Sequence, residues 1–391
     1  ALGYQALYTN STGADNIGIG HNALLSNTTG SYNTAVGGLA LDANTTADNN
    51  TAVGYNALSA NTTGASNTAV GYGALLVNTT GAQNTAVGFE ACRDVAETSD
   101  SDNMVAVGYR ALFMNASTTA DASDSVAIGH SAMYANASTT ASLVANVAVG
   151  TDALRIAANT TGSVQYNAAV GTEAMRFNAN TTGSVRYNAA IGFEALEVDA
   201  NTTGTVTDNA VVGYKALKSA SNTTGNIQYN VAVGSNALLA TQASNNVAVG
   251  YNALTANTTG QWNVAVGSGA LDANTDGNEM IAVGYNALGA ASGGEGNIGI
   301  GNAAGLELTS GEYNILVGKD AGRSGSPGGE ITTGSNFVCL GDENITAAHI
   351  QVDWTIASDE RDKTDVEDLD VGLEFVNQLQ PKTYRWDQRS L

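Results

Sequence analysis

The stretch NTAVGYNALSANTTGAS, residues 50–66, is followed directly by NTAVGYGALLVNTTGAQ, residues 67–83, so the chain repeats itself every 17 residues. The glycine of the AVG triplet anchors each repeat. It recurs 19 times, at Gly3, Gly20, Gly37, Gly54, Gly71, Gly88, Gly108, Gly129, Gly150, Gly171, Gly192, Gly213, Gly234, Gly250, Gly267, Gly284, Gly301, Gly318 and Gly341. The spacing is 17 at first, then 20 once and 21 six times, then close to 17 again, and 23 before Gly341. Repetition at such a short period, with extra residues confined to one place, predicts a solenoid.

Each repeat combines a strand signal with a turn signal. Val, Ile or Leu precedes the anchor, and Ala stands two residues before it and three after it, as in Ala52 and Ala57 around Gly54. The turn is Asn-Thr-Thr-Gly, whose Asn and Gly favour left-handed backbone. About nine residues between turns are too few for a helix. The sequence therefore predicts parallel coils of 17–21 residues stacked about 4.8 Å apart, a rod on the order of 90 Å long.

Composition restricts the classes of function. Among 391 residues there are 46 Gly, only 2 Pro and 13% charged residues, and the net charge is −22. This acidity excludes nucleic acid as a partner, because binding phosphates requires clustered Lys and Arg. No apolar run reaches membrane-spanning length. Cys92 and Cys339 lack metal-type spacing, and no cofactor or metal site is expected. Because Ala1 already stands inside a repeat, we expect the chain to be a fragment.

A coil this thin buries little surface on its own, so several chains are expected to associate about a common axis. Alternation along a strand puts the branched residue and its neighbouring Ala on opposite faces. We expect the Ala-lined face to permit close approach between chains. The predicted fold is all-β: a parallel β-solenoid assembled as a homotrimeric rod, with a short α-containing segment at its C-terminal end.

The AVGxxAL units resemble the β-roll head repeats of trimeric autotransporter adhesins, and still more the repeat arrays of phage and giant-virus tail fibres. Near the C-terminus, the stretch SDERDKTDV, residues 358–366, resembles the opening of the endosialidase-type intramolecular chaperone, a self-cleaving domain. That resemblance implies trimer alignment and a cut between Ser358 and Asp359. It makes Ser358 the nucleophile, and Lys363 is a plausible base. The chemistry of the residues alone leaves Ser358 open as a helix N-cap.

These observations predict three regions: a repeat shaft at 1–341, a linking strand at 342–357, and the N-terminal part of the chaperone at 358–391. Apolar spacing over Leu369, Leu373, Val376 and Leu379 predicts a helix in the last region. The expected function is the structural shaft of a viral tail or surface fibre, located on the virion and involved in host attachment. The alternative is a cellular trimeric adhesin or a glycosylated extracellular filament. Beyond self-cleavage, no enzymatic activity is expected.

Two recurring features have two interpretations each. Turn asparagines in Asn-x-Thr sequons are either glycan acceptors or turn residues; the candidate acceptors are Asn27, Asn61, Asn78, Asn159, Asn180, Asn201, Asn222 and Asn257. Aromatic residues that follow the anchor form either a sugar-binding strip for host-surface polysaccharide or a ladder that packs coil on coil. Tyr55, Tyr72 and Phe89 are examples, and His21 and His130 occupy the same position.

Overall fold

A computed structural model of the chain describes residues 1–94, 101–114, 121–135, 142–156, 162–178, 182–198, 203–219 and 225–347. These residues form an all-β parallel solenoid, and no helix occurs within the described ranges. The predicted coil architecture is therefore confirmed. The predicted helix and the stretch His349–Trp354 of the linking strand lie outside the described residues. Contacts group residues Ala1–Ile345 into one compact unit.

Most coils contribute one three-residue strand to a single long sheet of 18 parallel strands. Each strand pairs with the strand of the next coil, anchor beside anchor, as in Ala52 beside Ala69. In chain order the strands are β1 (Ile17–Ile19), β2 (Thr34–Val36), β3 (Thr51–Val53), β4 (Thr68–Val70), β5 (Thr85–Val87), β6 (Val105–Val107), β7 (Val126–Ile128), β8 (Val147–Val149), β10 (Ala168–Val170), β12 (Ala189–Ile191), β14 (Ala210–Val212), β16 (Val231–Val233), β17 (Val247–Val249), β18 (Val264–Val266), β19 (Ile281–Val283), β20 (Ile298–Ile300), β21 (Ile315–Val317) and β22 (Val338–Leu340).

A second, shorter sheet runs along one corner of the 21-residue coils. Its four parallel strands are β9 (Val164–Gln165), β11 (Val185–Arg186), β13 (Val206–Thr207) and β15 (Ile227–Gln228). The first residue of each strand is fully buried. The extra residues of these coils therefore enlarge one corner and fill it with apolar side chains.

The alanines point into the coil, not towards a neighbouring chain. Ala52, Ala57 and Leu58 are completely buried in the interior, whereas Val53 lies on the outer surface. The expectation that the Ala-lined face mediates chain association is therefore wrong. Alanine suits these positions because the 17-residue coil encloses little volume beside the inward-pointing leucine.

The anchor glycine is required by both backbone conformation and contact. Gly54 has φ +139°, a conformation that side chains rarely allow. A Cβ atom there would overlap the carbonyl group of Gly71 in the next coil. Stacking of consecutive coils at van der Waals distance thus explains why this position is glycine in every repeat.

Buried asparagine forms two ladders inside the 17-residue coils. Asn50, just before its strand, accepts a hydrogen bond through Oδ1 from the backbone N–H of Asn67, 2.8 Å away. At the turn, Nδ2 of Asn61 donates to Oδ1 of Asn44 at 3.1 Å and to the carbonyl oxygen of Gly64 at 2.9 Å. These amides satisfy backbone groups that the turns leave unpaired, so polar residues can occupy the interior.

Candidate functional surfaces

The outer face of the long sheet is a continuous apolar stripe, here called the strand face. It consists of the residue before each anchor, which is more than a third exposed in most coils. Its members include Ile19, Val53, Val87, Val107, Ile128, Val170, Ile191, Val212, Val233, Val266, Val283 and Ile300. Single exposed apolar side chains are ordinary, but a stripe along many coils marks an interaction surface.

Aromatic rings border the strand face on the side that follows the anchor. Tyr55, Tyr72, Phe89, Tyr109 and His130 form an unbroken stack. The ring centroids of Tyr72 and Phe89 are 5.2 Å apart, and their planes differ by 10°. The coil-on-coil ladder is therefore confirmed, including the ladder role of the histidine. Rings inside the stack cover one another's faces, so they present mainly edges to solvent.

A second aromatic column, on the other side of the strand face, was missed by the sequence analysis. Its rings stand two residues before the strand, where Tyr166 and Tyr187 stack with centroids 5.3 Å apart. Tyr229 and Trp262 share this position and are more than half exposed. In the sequence, an aromatic residue directly before an Asn recurs ahead of several strands, and this pair could have identified the column. Other coils have Ser, Gln or Asp in place of the aromatic residue, which hid the pattern.

The described sequon asparagines are engaged in the turns. Asn27, Asn61 and Asn257 are fully buried, and Asn78 is half-buried. Each donates both Nδ2 hydrogens, one to the carbonyl oxygen three residues on and the other to a side-chain oxygen of the preceding coil. A glycan would replace one of these N–H groups, so the geometry favours the turn interpretation. Candidate acceptors outside the described residues are Asn159, Asn180, Asn201 and Asn222.

An ion-pair network lies at the corner after the anchor in the 21-residue coils. Carboxylate oxygens of Glu173, Glu194 and Glu197 lie within 4.8 Å of one another. Lys218 pairs with two of these carboxylates and Arg176 with Glu173. Burial opposes ionisation of Glu194, but Lys218 outweighs it and lowers the pKa of this carboxyl below its ordinary value. The cluster is thus charge-compensated by basic side chains.

Both cysteines are free and buried. Burial raises the pKa of the Cys92 thiol to about 12, so this group stays protonated and unreactive. Both cysteines are packed in the hydrophobic core as small apolar residues. No helix within the described ranges has the length and apolar character needed to cross a membrane.

Ser358 and Lys363, the proposed nucleophile and base, lie outside the described residues. Residues 358–390 match the family model for the chaperone of endosialidase. The match begins at Ser358. No curated protein and no solved structure matches the chain. The C-terminal segment is thus similar to an intramolecular chaperone with self-cleavage, and the repeat region is defined by its fold.

Proposed function

We propose that the chain is the shaft of a homotrimeric viral tail or surface fibre that takes part in host attachment. A C-terminal intramolecular chaperone aligns the three chains. The observation that carries this proposal is the chaperone match at residues 358–390, soon after the last strand of the solenoid, Val338–Leu340. A long parallel solenoid is a rigid spacer, and its localisation in this proposal is the virion.

The strand face is the proposed contact between the three chains. Eighteen strands spaced about 4.8 Å apart make a face on the order of 80 Å long. If it is about 10 Å wide, each chain presents on the order of 800 Å², which is what a stable interface buries per partner. A monomer rarely leaves so large an apolar patch in water. The patch supports association of copies through this face, in place of the Ala-lined face.

Register is the reason such a fibre needs a chaperone. Coils with the same AVG strand can pair in many shifted alignments, and contacts between three long chains form slowly. A terminal domain that fixes the alignment removes that ambiguity. In the proposed cleavage, water hydrolyses the peptide bond between Ser358 and Asp359, leaving a carboxylate on one and an amine on the other. The Ser358 hydroxyl gives its proton to Lys363 and attacks the carbonyl carbon of this bond, the amine of Asp359 leaves with that proton, and water then hydrolyses the resulting ester. Loss of the clamp makes unfolding kinetically one-way.

The trimer is tested by matched lysine variants. Substituting Val53, Val87 and Val107 with Lys places three charges on the strand face, and we expect sedimentation to show monomers where the wild-type chain gives trimers. The control is the same number of lysines at the exposed turn residues Thr29, Thr46 and Thr63, which should leave the trimer intact. A well-folded wild-type monomer would contradict the proposal, and a trimer that survives the strand-face lysines would assign the contact elsewhere.

Cleavage is tested on the complete gene product. We expect a released fragment whose N-terminal sequence begins at Asp359, and an uncut trimer of lower kinetic stability for Ser358→Ala. Gel mass and N-terminal sequencing provide the measurement. A precursor that assembles and stays whole would leave the segment a role in alignment only.

The second candidate, a cellular trimeric adhesin or glycosylated filament, fits the same solenoid. Its glycosylated form requires modified turn asparagines, and the two donated hydrogen bonds of Asn61 argue against it. Intact-mass measurement before and after amidase treatment distinguishes the two. A mass change would favour the filament.

A further inference from the structure

Coil size changes abruptly where the series of 21-residue coils ends. Anchors Gly213 and Gly234 are 21 residues apart, but the next anchor, Gly250, follows after only 16. The second sheet ends at this point, with β15 as its last strand. A wide coil is therefore stacked directly on a narrow one, and the corner of the wide coil overhangs the next.

The glycines of that corner show where the stacking stops. A methyl group added at Gly162, Gly183 or Gly204 would overlap the carbonyl oxygen of the corresponding glycine one coil on. At Gly225 the nearest atom is the carbonyl oxygen of Gln242, at 3.4 Å, an ordinary contact distance. The backbone ladder of this corner thus ends at Gly225 and leaves open space beside it.

This space is a half-open groove of about 480 Å³, within the size range of small-ligand sites. Among the described residues that line it, none carries a charged side chain. The groove is formed by Gly225, Asn226, Gln228, Gln242, Ala243, Ser244, Asn245, Thr259 and Gln261. Amide and hydroxyl groups dominate this surface, so it suits a neutral ligand rich in hydrogen-bonding groups.

On one side of the groove, the backbone groups of β15 are hydrogen-bonded within the protein. The edge of β15 is closed by Ser244, whose hydroxyl accepts from the N–H of Gln228 at 3.1 Å and donates to the carbonyl oxygen of Asn226 at 2.7 Å. The N–H of Asn245 donates to the carbonyl oxygen of Gln228 at 2.9 Å. These bonds fix the junction between the two coils without using the side-chain amides of Gln242, Asn245 and Gln261, which also line the groove.

Three side-chain amides remain for a ligand. Within the part of the chain that the structure describes, the side chains of Gln242, Asn245 and Gln261 make no hydrogen bond. Each offers a donor and an acceptor in one plane. All three line the same groove, so they can bond to adjacent hydroxyl groups of one molecule.

Two exposed rings stand beside this groove. Tyr229 lies one coil before Asn245 and Trp262 one coil after it, at the same position before their strands. The two residues are 58% and 55% exposed. An aromatic face provides an apolar platform for C–H groups, while the amides bind hydroxyl groups.

We propose that the step at residues 225–261 is a binding site for a neutral saccharide. Free amides supply hydrogen bonds to hydroxyl groups, the bordering aromatic rings supply apolar contact, and the uncharged lining disfavours acidic sugars. This assignment names a ligand class for the proposed attachment role. Its test is separate, since saccharide binding is measured directly, whatever the oligomeric state and whether or not Ser358 is cleaved.

The experiment is isothermal titration calorimetry of the whole chain with maltohexaose, cellohexaose and mannohexaose, each up to millimolar concentration. Sialyllactose and a heparin hexasaccharide are the charged comparators. We expect one neutral hexasaccharide to bind, and the double variant Gln242→Ala and Gln261→Ala to weaken binding at least tenfold. The matched control is Gln83→Ala, which removes an exposed glutamine far from the groove and should leave the affinity unchanged.

A second variant, Thr259→Trp, fills the groove without removing an amide and should also abolish binding. Circular dichroism and sedimentation verify that each variant keeps the wild-type fold and assembly. The proposal is overturned if none of the neutral hexasaccharides binds, if the charged sugars bind equally well, or if the double variant binds as tightly as the wild type.

Discussion

The 17-residue coils and the 21-residue coils share the same strand but close their corners with opposite chemistry. In the short coils the turn is filled by amides, and Asn44, Asn61 and Asn78 form a hydrogen-bonded ladder. In the long coils the same corner is filled by apolar side chains, among them Phe177 and Val185, both fully or almost fully buried. Coil length is therefore decided at the corner, and the strand face is unaffected by how the corner is filled.

Neighbouring coils of the solenoid can therefore differ in what fills one corner, amides or apolar side chains, while the buried asparagine ladder before the strands continues through both types. Amide ladders are directional and suit a turn of fixed length, because each bond requires a defined separation. Apolar packing is not directional and accommodates four extra residues. Where the two solutions meet, after Gly225, neither fills the corner completely, and the groove described above results.

The largest effect is expected from the apolar corner. Phe177→Ala removes an almost fully buried ring and should lower the free energy of unfolding by about 3–5 kcal/mol. The matched control is Phe193→Ala, whose ring is 41% exposed in the ladder and should cost about 1 kcal/mol. Chemical denaturation followed by circular dichroism measures both. Equal costs would show that the long coils do not depend on this apolar filling.

A smaller effect is expected from the polar corner. Asn61→Ala removes two donated hydrogen bonds and leaves Nδ2 of Asn78 without one of its two acceptors, so we expect a loss of about 1–3 kcal/mol. Thr63→Ala, at an exposed position of the same turn, should change stability by no more than about 0.5 kcal/mol. If the two substitutions are indistinguishable in denaturation, the ladder contributes nothing to stability.

An effect of similar size is expected at the junction of the two coil types. Gly204→Ala should cost about 1–3 kcal/mol, because its methyl group meets the backbone of Gly225. Gly225→Ala, with only the 3.4 Å contact to Gln242, should stay within about 0.5 kcal/mol of the wild type. Thermal unfolding of this pair locates the end of the corner ladder. Similar destabilisation by both would place the step elsewhere.

The repeat, the strands and the stacked aromatic column could be predicted from the sequence, since a period of 17 with AVG strands leaves few alternatives. Whether the alanine side chains point into the coil or outwards could not be predicted. Both faces of a strand such as Thr51–Val53 carry apolar residues, and only closure of the coil decides which one becomes the interior. The error about Ala52 follows from that ambiguity.

The local backbone geometry also could not be predicted from the sequence. Leu58 adopts φ +54°, a left-handed conformation that costs an ordinary side chain about 1–2 kcal/mol. No local signal favours it there. The conformation is imposed by burial of the leucine in the coil interior and by its N–H donating to the carbonyl oxygen of Ala74 in the next coil. The groove at residues 225–261 likewise depends on two coils of unequal size, which no single repeat reveals.

Because the strands pair anchor by anchor, the length of the solenoid is set by the number of its coils. Each coil bonds to the coil before it and the coil after it, so removing a whole 17-residue unit, such as residues 51–67, joins two surfaces that already fit. Length can then change in increments of about 4.8 Å without any redesign of the interior. Recombination between near-identical repeats of the gene is a simple route to such changes. The length of the solenoid is therefore an inheritable quantity that varies independently of its fold.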